Sequence, residues 1–123
     1  MVLNPNKPTI LVCDDEEGIR ESFKLVLSDD YDVKFAVNGM EAMDLLKAST
    51  PDAMILDIKM PKQNGMETLR QIKKLKPRMP VIIVTGYQSV EMAQEALKNG
   101  AADYIPKPFE SKKILKAISN IIK

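Results

Sequence analysis

Histidine is missing altogether from the 123 residues. That removes the imidazole side chain as general base, metal ligand or phosphoryl carrier, so any such group has to come from a partner. The only cysteine, Cys13, lies inside an apolar run and cannot make an internal disulfide. A reducing cytoplasm is the compartment that suits it. Charge of either sign is barely in excess: 18 Lys and Arg stand against 17 Asp and Glu. The chain therefore has no electrostatic footprint for nucleic acid or an anionic membrane. A run such as Lys73-Lys74-Leu75-Lys76 reads as a solvated helix end, and no direct nucleic-acid binding is expected. No apolar stretch approaches the roughly 20 residues that a membrane span needs, and Met1 to Pro8 lacks the apolar centre of a signal peptide. Repeats, low-complexity tracts and an interdomain linker are absent as well.

What is present is the material of one ordinary domain. The length is enough to bury a core but not to hold two domains. With 45% apolar and 28% charged residues the chain falls among soluble globular proteins. Residues 1–7 form a polar leader, expected to be loose, and residues 8–123 form the domain. Thr9 to Cys13 is an apolar run, read as a buried first strand, and Asp14-Asp15-Glu16-Glu17 closes it. From Gly18 onward Ile19, Phe23, Val26 and Leu27 fall at helical spacing. Asp32 to Val37 alternates, with Val33, Phe35 and Val37 on one face, which predicts a second, less buried strand. Asn38-Gly39-Met40-Glu41 has the capping-box pattern and opens a helix with Ala42, Met43 and Leu46 inward. Pro51 separates it from the third strand, Ala53 to Leu56, a continuous apolar run ending on Asp57 and halted by Met60-Pro61.

Asn64 and Glu67 repeat the capping box, and Met66, Leu69 and Ile72 continue at helical spacing until Lys76-Pro77. Val81 to Val84 is the fourth apolar run and finishes on Thr85-Gly86. Ser89 caps a helix with Val90, Ala93 and Leu97 inward, ended by Asn99-Gly100. Asp103 to Pro108 holds a short fifth strand broken by two prolines. The last helix starts near Ser111 with Ile114, Leu115, Ile118, Ile121 and Ile122 on one stripe. Five strands alternating with five helices predict an α/β fold, a doubly wound parallel sheet with helices on both faces.

In that layout the carboxyl ends of four strands carry Asp14 and Asp15, Asp57, Thr85 and Lys107, and open α/β sheets place their chemistry at that edge. Each has an ordinary reading too. Asp14-Asp15 could cap a helix, Thr85 could be a β-branched strand end, Lys107 a surface lysine, and Tyr104 a half-buried aromatic with its hydroxyl in water. Together they say more. Three carboxylates sharing a site repel unless a cation compensates, and an all-oxygen set without imidazole or thiol suits a hard cation such as Mg²⁺. A hydroxyl and an ammonium facing that metal suit phosphoryl oxygens, which leaves Asp57 as the nucleophile.

These residues resemble the response-regulator receiver domain, the phosphoacceptor module of two-component signalling. The resemblance runs from about Pro8 to the end. It rests on Asp14-Asp15, on Asp57 in Leu-Asp-x-x-Met-Pro, on Thr85 after an apolar strand, and on Lys107-Pro108 after Ala-Ala-Asp-Tyr. It implies strand order 2-1-3-4-5 and phosphorylation of Asp57. It also implies Mg²⁺ held by Asp15, Asp57 and the backbone carbonyl of Lys59, with Asp14 acting through a metal-bound water. Thr85 and Lys107 would contact the phosphoryl oxygens, Tyr104 would be the switch aromatic, and Lys107-Pro108 would be cis. Lys59 and Tyr87 occupy positions that in this family tune how long the phosphoryl lasts. The implied role is a cytoplasmic signalling switch rather than an enzyme. Its partners would be a histidine kinase or histidine phosphotransfer protein and an output domain or protein, with a phosphorylation-dependent homodimer as a further state. The wording from Val84 to Tyr104 and at Pro108-Phe109 resembles receivers at the front of transcriptional activators that carry an ATPase domain. The chain ends right after the fifth helix, which fits a single-domain regulator and a receiver cut from a longer protein alike.

Two other classes compete. A phosphatase with an aspartyl nucleophile and Mg²⁺, of the haloacid-dehalogenase kind, wants an acid two residues after the nucleophile, where this chain has Lys59. A flavodoxin-like cofactor module wants a glycine- and hydroxyl-rich loop after the first strand, where this chain has four acids.

Overall fold

A computed structural model of the chain describes residues 7–59 and 64–122. Most of the expected leader, residues 1–6, lies outside the described residues, and so does the Met60-Pro61 stop. The elements follow in strict alternation: β1 (Thr9–Cys13), α1 (Glu17–Leu27), β2 (Asp32–Ala36), α2 (Gly39–Ala48), β3 (Ala53–Leu56), α3 (Gly65–Leu75), β4 (Val81–Thr85), α4 (Val90–Lys98), β5 (Asp103–Pro106) and α5 (Ser111–Ile121). All strand pairs are parallel, in the order β2-β1-β3-β4-β5. Among the described residues no helix is long and apolar enough to cross a membrane.

Burial explains why these runs become strands. Every residue of β3 and β4 is buried, as the unbroken apolar runs predict for strands with neighbours on both sides and helices on both faces. Successive side chains go to opposite faces and build two cores. Leu11, Met54, Leu56 and Ile83 pack with Leu46, Leu69, Ile72 and Ala96 from α2, α3 and α4. Ile10, Val12, Ile55, Ile82 and Ile105 pack with Phe23, Leu27, Ile114 and Ile118 from α1 and α5. The edge strands β2 and β5 are less buried, since one side of each has no strand to cover it.

Helix starts follow their caps. Asn38 Oδ1 accepts from Glu41 N at 2.8 Å, and Glu41 Oε1 accepts from Val37 N at 3.3 Å, one residue before the Asn38 N–H that a capping box pairs. Asn64 Oδ1 accepts from Glu67 N at 3.1 Å, and Ser89 Oγ from Met92 N at 3.2 Å. Gly100, at φ +100°, ends α4 in the left-handed region as expected.

Three expectations need correction. The second strand stops at Ala36, and Val37 is exposed, because Val37 already belongs to the turn that feeds its N–H to Glu41. The first helix begins at Glu17, one residue before Gly18. More importantly, the inner face of α4 is rotated from the one predicted: Val90 and Leu97 are 68% and 51% exposed, while Ala96 is buried and Met92 packs against the core.

One close approach ties the fold to the loop after β3. A Cβ built on Gly65, the first residue of α3, would stand 2.5 Å from Ile58 Cα, whereas one on Gly18 would meet nothing within 4 Å. Gly65→Ala should therefore lower stability by about 3 kcal/mol through backbone overlap. Gly18→Ala should raise it by about 0.5 kcal/mol, because alanine loses less entropy in a helix. Urea unfolding of both variants against the wild type checks the two opposite signs.

Candidate functional site

Register decides which strand ends meet. Cys13 pairs with Leu56, so Asp14 and Asp57 follow side by side, and Asp57 N donates to the Cys13 carbonyl at 3.0 Å. Thr85 pairs with Pro106, and Lys107 N donates to the Thr85 carbonyl at 2.7 Å. The Lys107–Pro108 bond is cis. Phe109 stacks on Phe23 of α1 with ring centroids 4.6 Å apart, which anchors the loop that carries Lys107.

Lys107 bridges the acids. Its Nζ donates to Asp14 Oδ2 at 2.8 Å and to Asp57 Oδ2 at 3.0 Å, and Glu16 Oε1 lies 3.5 Å away. The other oxygens are held by backbone: Glu16 N donates to Asp14 Oδ1 at 2.9 Å and Lys59 N to Asp57 Oδ1 at 2.8 Å. Asp14 and Asp57 are only 1% and 2% exposed, yet among the described residues no buried side-chain polar atom lacks a partner. Asp14, Asp15, Glu16 and Asp57 each offer a carboxylate oxygen, all within 4.8 Å of one another. Four carboxylates thus face one ammonium, and the oxygen-only donor set fits a hard divalent cation.

The electrostatics follow from crowding and burial. Burial pushes the Asp14 carboxyl above its ordinary range, only partly opposed by the Lys107 and Glu16 N–H contacts, and the Asp57 charge adds to the rise. Burial alone would lower Lys107, but its hydrogen bonds to Asp14 and Asp57 outweigh this and hold the ammonium above its usual value. The Cys13 thiol, buried beneath Asp14 and Asp57, is pushed up to about 12, first by burial and then by their charges. It stays protonated and unreactive at neutral pH.

Thr85 and Tyr104 lie on the other side of the sheet edge. Thr85 is fully buried, and the strand alternation puts it on the face of Ile83, against which Tyr104 also packs. Tyr104 Oη donates to the Tyr87 carbonyl at 2.8 Å rather than ending in water. Burial first, then the Asp57 charge, raises its phenol. The Tyr87 ring in turn sits 5.3 Å from the Lys59 ammonium.

The ordinary readings therefore fail for Lys107 and Asp14 as well as for the Tyr104 hydroxyl. Lys107 is no surface lysine, its side chain being 12% exposed. Asp14 caps no helix: α1 has Glu16 at its cap with no side-chain bond. Asp15, by contrast, is exposed. Sequence reasoning missed Glu16 as a fourth acid near Lys107, although it stands in the same acidic run. It also missed Arg20, whose Nη1 donates to the Asp14 carbonyl at 2.8 Å, and Gln88, whose Nε2 donates to the Lys107 carbonyl at 3.0 Å. Bonds to backbone carbonyls leave no pattern in the sequence. A cavity of about 470 Å³ lined by Gly39, Met43, Asn64 and Thr68, between α2 and α3, lies apart from these groups.

In EDTA at pH 7, Asp14→Asn should melt above the wild type, because it removes a carboxylate whose charged form burial disfavours. An acid with a raised folded pKa costs stability above that pKa, and the cost vanishes as pH falls below the unfolded value near 3.8. Thermal melts of the two proteins should therefore converge toward that pH. A variant that melts lower at pH 7 would mean that the contact with Lys107 outweighs burial.

The profile of the response regulator receiver domain matches residues 10–119. Response regulator MprA of Mycobacterium avium is 39% identical over 107 residues, which are 86% of this chain and 47% of MprA. The chain thus spans about half the length of the curated relatives it matches. Among solved structures, a CheY-like receiver domain protein from Methanospirillum hungatei has a TM-score of 0.88 at 34% identity, covering 94% of this chain and 93% of that one. A receiver domain protein from Clostridium thermocellum has a TM-score of 0.86 at 39% identity, covering 94% of both. Because the profile runs from Ile10 in β1 to Ser119 in α5, through every element that carries an acid or the lysine, the chain belongs to the receiver domains of two-component response regulators.

Proposed function

We propose that Asp57 takes a phosphoryl group from the phosphohistidine of a histidine kinase or histidine phosphotransfer protein in a Mg²⁺-dependent step. The observation that carries this reading is the single ammonium of Lys107 shared by Asp14 and Asp57 at 2.8 and 3.0 Å within a four-acid cluster. In the transfer a carboxylate oxygen of Asp57 attacks phosphorus, the O–P bond forms as the donor's N–P bond breaks, and the bonding pair returns to the imidazole nitrogen. Asp15, Asp57 and the Lys59 carbonyl would hold the Mg²⁺, with Asp14 acting through water. When bound, the ion neutralises charge gathered on donor, acceptor and acids. Lys107 then exchanges a carboxylate for the phosphoryl oxygens, and Thr85 hydroxyl donates to them. An aspartyl phosphatase would want an acid at Lys59, and a backbone phosphate cradle would want glycines where Asp15 and Glu16 stand.

The new phosphoryl brings nearly two negative charges and three strong acceptors to this edge. Thr85 is drawn toward it, the space beside Thr85 opens, and Tyr104 leaves the Tyr87 carbonyl and turns inward. Hydrogen bonds to charged groups contribute about 1.5 to 3 kcal/mol each, so two approach the roughly 5.5 kcal/mol that inverts a 1:99 equilibrium. The surface of α4 and β5, where Val90 and Leu97 already stand exposed, is the one that changes for an output domain, an output protein or a second copy.

Asp57→Asn, and wild type in EDTA, should both fail to gain a single phosphoryl mass on incubation with acetyl phosphate. Stoichiometric labelling of the variant at another residue would move the acceptor elsewhere. Thr85→Ala should still be labelled at Asp57 but should shift the Tyr104 resonance far less than wild type on beryllofluoride titration. Tyr104→Phe identifies the signal, and equal shifts in wild type and Thr85→Ala would mean that the coupling takes another route.

A further inference from the structure

Arg20 stands where helix electrostatics discourage a cation. It lies in the first turn of α1, at the positive end of the helix dipole, where acids are favoured. Its backbone N–H donates to the Glu16 carbonyl at 3.1 Å, so its own backbone closes that turn. Its half-buried side chain folds back past the turn to place Nη1 2.8 Å from the Asp14 carbonyl. A residue that departs from a local rule in this way points to a demand made by the tertiary structure.

That demand can be read from the covalent chemistry. The carbonyl of Asp14 and the amide of Asp15 belong to one planar peptide, so a donor fixed on that oxygen fixes the plane. The plane sets the direction in which Asp15 leaves the chain. On its other side Asp14 is already held, Oδ1 by Glu16 N and Oδ2 by Lys107. Asp15 is exposed. We infer that Arg20 is a positioning residue for the divalent-cation site: by holding the Asp14–Asp15 peptide plane it aims both acids at the same point beside Asp57. This rests on the Mg²⁺ reading given above.

Charge and geometry make opposite predictions, which makes the inference testable. If Arg20 were only a nearby positive charge, removing it would relieve repulsion and tighten Mg²⁺ binding. If it positions the acids, removing it weakens binding. Calorimetric titration of the full chain with Mg²⁺ alone should show Arg20→Gln binding about tenfold more weakly than wild type, the lower end of what losing a support of a metal's ligands costs. Arg20→Lys keeps the charge and one donor but loses the planar fork, and should fall between them. With acetyl phosphate the half-saturating Mg²⁺ should rise while the rate at saturating Mg²⁺ stays within about twofold. In EDTA, NMR should show the Asp15 and Glu16 amides shifted in Arg20→Gln while those of α5 remain in place. Equal or tighter Mg²⁺ binding by Arg20→Gln, or unmoved loop amides, would overturn the inference. A wild type that takes up no Mg²⁺ would overturn the metal reading and this role with it, and that result is distinct because it appears before any substitution is made.

Discussion

A single ammonium set between two buried carboxylates ties together the loops after β1, β3 and β5 that form the candidate site. Lys107 reaches Asp14, 93 residues earlier, and Asp57, 50 residues earlier. Taking such charges out of water is expensive, and the mutual repulsion of four clustered acids adds to the expense. The arrangement survives because each inner carboxylate also receives a backbone N–H, from Glu16 or Lys59, and because the surrounding sheet is well buried. It remains undercharged on the positive side. That imbalance, together with the oxygen-only donor set, fits a hard divalent cation.

The two faces of the sheet carry different parts of the candidate site. Residues alternate between the two faces, so the side packed under α1 and α5 supports the loop that carries Lys107, while Thr85 and Tyr104 belong to the side of α2, α3 and α4. In the switch proposed above, a change at Asp57 is passed across the thickness of the sheet by the Thr85 hydroxyl. The helix on that side, α4, is thinly held, with Ala96 as its only buried residue. Few buried contacts mean a low cost of local rearrangement. The α3 side steadies it instead: Arg70 donates to Asn99 and Glu95 at the end of α4 and to Glu67 on its own helix. Such exposed contacts are individually weak, and they limit the position of α4 without locking it.

The alternation of elements, the order of burial along the central strands and the helix caps at Asn38, Asn64 and Ser89 were all legible in the sequence, because each depends on residues within a few positions of one another. The gathering of Asp14, Asp57, Thr85 and Lys107 at one edge followed as soon as the strands were taken as parallel. Other features were decided only by the tertiary structure. Periodicity gives the spacing of a helical stripe but not its phase, so Val90 and Leu97 of α4 were expected inward, whereas Ala96 is buried and Met92 packs against the core. The burial of Lys107, the Tyr104 hydroxyl on the Tyr87 carbonyl and the Arg20 fork on the Asp14 carbonyl depend on where loop backbones turn and on which strands lie side by side. Those are set by contacts between residues far apart in the chain, and a side chain that binds a backbone oxygen can do so wherever the fold brings one within reach.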